Sequence, residues 1–156
     1  MNRRQLRQRL DPAWLGFDEL YAGLADDRLL ETETGVTGEW SVRDIIAHVT
    51  KWQEEALTHI PILMAGGRPP QYSVRYGGIN AFNVVMTQRT RGLSLSQVRA
   101  RQERTHGKIA EFIDSVPKSQ FKEETRFRRR LRWDTYGHYP KHTAAIWAWR
   151  ELRSTR

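Results

Sequence analysis

His138 and His142 stand four residues apart in the stretch TYGHYPKHTAAIWAW, Thr135 to Trp149, at the head of an otherwise apolar run. On a helix that spacing puts both rings on one face, and Ile146 and Trp149 continue it, so both imidazoles are expected to point inward. His48, in GEWSVRDIIAHVTKW, lies three residues after Ile45 and four before Trp52 and shares their apolar face. Three neutral imidazoles from two facing helices, His48 with His138 and His142, form a usual ligand set for Zn²⁺, Ni²⁺ or a similar divalent metal ion. They leave a position open for water or substrate. The chain has no cysteine, which excludes disulfides, thiolate metal sites and a cysteine nucleophile together. Core packing is the competing reading of such a His pair. HYPKH is not a zincin motif either, because Tyr139 stands where the glutamate would follow the first His.

Other residues stand near this set. Glu55, seven residues after His48, falls two turns along the same face as a candidate general base or a hydrogen-bond partner of a ligand, with a solvated helix position as the alternative. Tyr139 points about 100° away from its neighbour His138, which favours packing over catalysis. Asn80 and Asn83 are suited to hydrogen bonding within a connection. His59 lies about 16 Å along the helix axis from His48, too far to share an ion, and His106 reads as a surface residue.

The elements that must position these side chains are helical. A chain of 156 residues is the size of one domain, 1–156, with a real core. Leu6, Leu10, Trp14, Phe17, Tyr21 and Leu24 trace one face of a first helix. Pro12 predicts either a kink there or a restart with Asp11 as N-cap. A second helix starts at Ser41, with Asp44 completing a capping-box pair and Trp40 and Ile45 placed as a hydrophobic staple, and runs to about Met64. AGGRPPQY stops it. INAFNVVMTQRTRG reads as a short helix. The third long helix repeats the start grammar with Ser94 and Gln97, carries Val98, Gln102, Thr105, Ile109, Phe112 and Val116 inward, and ends at Pro117. The fourth begins near Gly137, which would place Pro140 in its first turn. The pattern predicts an all-α four-helix bundle with a long crossover, roughly residues 65–92, between the second and third helices, which would then run parallel.

Composition narrows the function classes. With 38% hydrophobic and 28% charged residues the chain reads as globular. It has no apolar run near the roughly 18 residues of a membrane span and no signal-peptide pattern, so a cytoplasmic protein without a membrane partner is expected. Net charge is +8, and the segment from Lys118 to Trp133 holds seven Lys/Arg against two Glu. Arg126, Arg128, Arg129, Arg130 and Arg132, beside Phe127 and Trp133, could contact nucleic acid or an acidic ligand; a solvated Arg-rich loop is the competing reading.

The combination GEWSVRDIIAHVTKW, INAFNVVMTQRTRGLSLSQV and DTYGHYPKHTAAIWAW resembles the DinB/YfiT-like superfamily, and within it the branch of ClbS/DfsB-like four-helix-bundle proteins. In metal-binding members one His of the second helix and two of the fourth hold a divalent ion, and these fall on His48, His138 and His142. The colibactin self-protection members look like relatives without the full His set. The resemblance further implies thiol-dependent transferase or isomerase chemistry, or opening of a strained electrophilic ring. It thus implies a small-molecule substrate, an external low-molecular-weight thiol as a possible cofactor beside Zn or Ni, and a homodimer. Hydrolysis of, or thiol transfer to, an electrophile is the expected activity. The alternative is a non-enzymatic protective protein that uses the basic patch.

Overall fold

The structure, a computed structural model, describes residues 1–33 and 35–154. Its helices are α1 (Arg3–Ala22), α2 (Asp26–Leu29), α3 (Val42–Met64), α4 (Tyr72–Tyr76), α5 (Ile79–Thr90), α6 (Leu95–Ser115), α7 (Arg126–Asp134) and α8 (Tyr139–Ser154). Among the described residues the one extended pairing is an isolated bridge between Thr37 and Trp40. No described helix is long and apolar enough to cross a membrane.

The long helices α1, α3, α6 and α8 form the expected bundle, and their starts are written in capping residues. Ser41 Oγ accepts from the Asp44 N–H and Asp44 Oδ2 accepts from the Ser41 N–H, both at 3.1 Å. Ser94 and Gln97 make the same reciprocal pair at the head of α6. Each pair satisfies two of the donors that a helix start leaves free. A third pair, Asn2 with Gln5, starts α1 earlier than the apolar pattern indicates. Of the two outcomes expected at Pro12, a kink or a restart, the restart with Asp11 as N-cap does not occur, because α1 runs through Pro12 without a break. Pro12 and Gln8 are both exposed, so solvent can serve the Gln8 carbonyl that the missing proline N–H leaves free.

Helix α3 is the centre of the molecule. Residues 41–50 are buried on every side, not along the single stripe read from the sequence, because α5, α6, α7 and α8 all pack against it. Arg43, at its start, donates to the carbonyls of Arg91 and Leu93 just before α6, at 3.0 and 2.8 Å. Further along, Arg101 of α6 grips Glu54 with two charge-assisted bonds of 2.6 and 2.5 Å. Start therefore meets start and middle meets middle: α3 and α6 run parallel, as the crossover length predicts. The core is continuous, from Leu6, Leu10 and Phe17 of α1 through Ile45, Val49 and Ile60 of α3 to Ile109 of α6 and Ile146 of α8.

The competing reading of the basic stretch as a loop and the expected start of the last helix both need correction. Residues 126–134 are a helix, not a solvated loop. Thr125 caps it, and Phe127 and Leu131, both fully buried, hold it on the bundle. Helix α8 starts at Tyr139, two residues later than expected, so His138 belongs to the turn 135–138 that joins α7 to α8. Pro140 occupies the first turn, where its missing N–H has no intrahelical partner to lose.

Candidate metal centre

His48 arrives on the second turn of α3, His138 on the turn after α7, and His142 one turn into α8. The turn is held by backbone bonds: the Gly137 N–H donates to Arg132 O at 2.9 Å, and the His138 N–H to Thr135 O at 2.7 Å. A Cβ on Gly137 would lie 2.7 Å from Arg132 O, so only glycine lets the chain double back this closely and aim His138 at α3.

The three rings converge through their Nε2 atoms. His138 Nε2 lies 3.2 Å from His48 Nε2 and 2.9 Å from His142 Nε2. All three offer a ligand atom within 4.8 Å of the others. Nitrogen ligands about 2.0–2.1 Å from a tetrahedral ion stand about 3.3 Å from one another, so the spacing fits a divalent ion. The electrostatics agree. Burial, with the neighbouring histidines, pushes His48 far below the ordinary imidazole pKa. Burial, then the His142 and Lys141 charges, lowers His138 to about 3, and burial with Lys141 lowers His142 to about 4. All three are therefore neutral at pH 7, the form that ligates metal. His138 Nε2 faces two other Nε2 atoms and can donate a proton to one at most, so the cluster concentrates lone pairs that a cation would satisfy. His138 Nδ1 is buried without a partner, on the side of the ring away from this cluster.

The cluster opens into a cavity of about 480 Å³ lined also by Trp52, Asn83, Arg132, Trp133 and Lys141. Another cavity, about 540 Å³ at the start of α1, is lined by residues such as Arg3, Lys118 and Phe121, with no His, Cys, Asp or Glu among them. Trp52 stands edge-on to both His48 and His138, with ring centroids 6.4 and 6.2 Å away, and Trp40 packs on His48 at 5.0 Å. The sequence pattern marks Trp52 only as core; its indole is a wall of the site as well. Asn83 anchors it, accepting from Trp52 Nε1 at 3.1 Å, whereas Asn80 is exposed.

The other sequence candidates lie elsewhere. Glu55 does not line the histidine cavity. Its carboxylate accepts from Tyr72 Oη at 2.8 Å and pairs with Lys51 at 2.8 Å. These contacts outweigh burial and hold its pKa below the usual carboxylate range. His59 borders this second cluster, with Nδ1 3.7 Å from Glu55 Oε2. His106 is half-buried, not a surface residue: it stacks on Trp14 with centroids 3.8 Å apart, and burial lowers its pKa to about 4. Tyr139 is fully buried and accepts from Gln53 Nε2 at 2.6 Å, a packing residue as its direction predicts.

The arginines of α7 do not form one basic face. Arg128 is 9% exposed and donates to Glu123 O at 2.6 Å. Arg132 pairs with Glu124 at 2.8 Å. Arg130 donates to Asp134 Oδ2 at 2.5 Å and to Tyr72 Oη at 2.8 Å. Arg126 donates to Gly67 O at 2.7 Å. Arg129 is exposed, and no hydrogen-bond or ion-pair partner is found for it among the described residues.

Comparisons with known proteins place this geometry. A search of curated protein sequences finds no match. Among solved structures, "Sibling Lethal Factor Precursor - DfsB" superposes with a TM-score of 0.80 at 15% sequence identity, covering 98% of this chain and 97% of that one. An uncharacterised protein from Escherichia coli UTI89 superposes with a TM-score of 0.78 at 12% identity, covering 98% and 95%. These likenesses are of fold. The sequence profile of the DinB superfamily matches residues 4–152, and the chain belongs to that superfamily.

Proposed function

We propose that this protein is a metal-dependent enzyme that modifies or detoxifies a small electrophile, with Zn²⁺ or Ni²⁺ held by His48, His138 and His142. The convergence of the three Nε2 atoms at the base of an open cavity carries this reading. A bound ion with an open position polarises an electrophile and lowers the pKa of a coordinated water or thiol. The protein's own residues do the rest. Trp52 and Trp133 present apolar walls that orient a substrate over the histidines. Lys141, which lines the same cavity, places positive charge where a leaving oxygen or carboxylate would develop negative charge. In the overall reaction a water or an external thiol forms a new bond to the electrophilic carbon, and the strained or activated bond at that carbon breaks. The proton of the nucleophile ends on the atom at the other end of the broken bond, the oxygen of an epoxide or ester and the α-carbon of a conjugated enone.

The test is a panel of epoxides, activated esters and conjugated enones offered to Zn²⁺- or Ni²⁺-loaded protein, with and without a small thiol. Turnover that disappears on chelation and in His142→Ala is the expected result. A rate unchanged by both removes the metal from the reaction.

A further inference from the structure

Beside the histidine cavity lies a second one of about 330 Å³, at the small end of the range of ligand pockets. Arg126, Arg129, Arg130 and Trp133, spaced three, four and seven residues from the first on α7, line one side, and Trp52 and Tyr72 line the other. The two cavities share Trp52, Ile79 and Trp133. They are adjoining compartments of one cleft, with the histidines in one and the guanidinium groups in the other.

The chemistry of the second compartment is one-sided. None of its lining residues is acidic. Arg130 is spoken for: Asp134 and Tyr72 hold its guanidinium about 6 Å from the Trp52 and Tyr72 ring centres, at 6.0 and 5.8 Å. It is fixed as a cationic floor. Arg126 has one guanidinium nitrogen on Gly67 O and others to give, and Arg129 has no partner among the described residues. Two under-used guanidinium groups side by side match the fork geometry of a carboxylate. Trp133 is 66% exposed and Ile79 42% exposed, and both border the two compartments, so the indole offers an open apolar face on which a planar ligand would stack.

We propose that this compartment is the specificity subsite for substrates that carry a carboxylate on a flat, conjugated or aromatic body. The carboxylate seats on Arg126 and Arg129, the flat body lies on Trp133, and the electrophilic end crosses the ridge toward His138 and His142. This deepens the enzymatic reading above and rests on it for the identity of the reacting end. Nucleic acid is disfavoured as the occupant, because Arg128, Arg130 and Arg132 are turned to protein partners and leave too few free cations for a phosphate track.

The experiment uses 2-naphthoate as the probe and 2-naphthamide as a neutral ligand of the same shape, titrated against full-length protein by tryptophan fluorescence and calorimetry. Metal is first removed by chelation, so that the probe's carboxylate has no ion to find. Metal content of the reloaded protein is measured on each variant. Naphthoate is expected to bind wild type at least about tenfold more tightly than it binds Arg129→Gln, and more tightly than naphthamide binds wild type, as a charge-assisted contact requires. Trp133→Ala is expected to weaken naphthoate and naphthamide alike. Both Arg129 and Trp133 are exposed, so neither change threatens the fold. Equal affinity of naphthoate for wild type and Arg129→Gln overturns the subsite. So does tight, steeply salt-dependent binding of a DNA duplex that Arg129→Gln abolishes and naphthoate does not displace. If naphthoate binds through Arg129 while reloaded wild type takes up no ion, the metal reading fails and the anion pocket stands. The reverse pattern leaves the metal centre intact and removes the subsite.

Discussion

Trp52 Nε1 donates to Asn83 Oδ1 across 3.1 Å, tying the central helix α3 to α5 of the crossover at the wall that separates the histidine compartment from the arginine compartment. Asn83 supplies the hydrogen bond that orients the indole, beside the ring contacts of Phe82 and Tyr72 from the same crossover at 5.3 and 5.5 Å, and through that ring the crossover shapes both cavities. Replacing Asn83 with Ala leaves the Trp52 N–H without its partner at the cavity edge. The expected cost is about 1 kcal/mol of stability, read as a lower urea midpoint, with a red shift in tryptophan emission and metal stoichiometry unchanged. Loss of metal binding in this variant would mean that the wall and the ligands are one unit.

The Gly137 turn makes a sharper demand. Because a Cβ at that position would sit 2.7 Å from Arg132 O, Gly137→Ala must open the 135–138 turn and swing His138 away from His48. The expected result is metal affinity reduced by tenfold or more with the helical circular dichroism retained. Wild-type affinity in Gly137→Ala would show that the turn tolerates the displacement.

Asp134 and Arg130 form a buried pair whose loss is asymmetric. Asp134 is fully buried, and burial pushes its pKa up to about 7 even beside Arg130. Asp134→Ala leaves the Arg130 charge half-buried with no carboxylate opposite, only the Tyr72 hydroxyl and the Trp52 and Tyr72 rings, at an expected cost of about 3 kcal/mol. Replacing both, Asp134→Leu with Arg130→Met, is expected to recover most of that stability in denaturant melts. A double variant no more stable than the single one would place the loss in packing instead.

Acid should destabilise the metal-free protein. The folded-state pKa of His138 is about 3, and those of His142 and His106 are about 4, with His48 also far below its ordinary value. Between those values and the unfolded value near 6.5 the unfolded chain binds more protons, so this stability is present above about pH 6.5 and is lost as pH falls. Asp134 works in the opposite sense: its raised pKa adds stability that is full below the unfolded carboxylate value and lost as pH rises through about 7. Four histidines outweigh one aspartate. The urea midpoint of chelated protein is expected to fall steadily from pH 7 to 4, and His106→Gln should remove part of the slope. A flat profile would contradict the neutral, buried assignment.

Much of this arrangement is legible in the residues. The capping pairs at Ser41 and Ser94 fix where α3 and α6 begin, and the apolar faces of α3 and α8 point His48 and His142 inward, whereas His138 joins them from the 135–138 turn and not from the helix face its spacing indicates. What the linear pattern hides is tertiary. Helix α7 is so rich in arginine that it reads as a loop, yet Phe127 and Leu131 bury it, and its charges divide between protein partners and a cleft. Trp52 looks like any core residue of α3, because periodicity records burial and not which cavity a ring borders. Glu55 shares the face of His48 in sequence register, but Tyr72 and Lys51, from a helix of the crossover and a preceding turn, claim its carboxylate. His106 reads as exposed because the Trp14 that covers it comes from another helix.

The measurement that tests the central claim most directly is elemental analysis of untagged protein, purified without chelator and reloaded with Zn²⁺ or Ni²⁺, beside His48→Ala. About one ion per chain in wild type and none retained by His48→Ala is the expected result, since the ion would join α3 to the α7–α8 turn and α8 in a single site. No stoichiometric ion in either protein, or the same ion content in both, would contradict the metal centre.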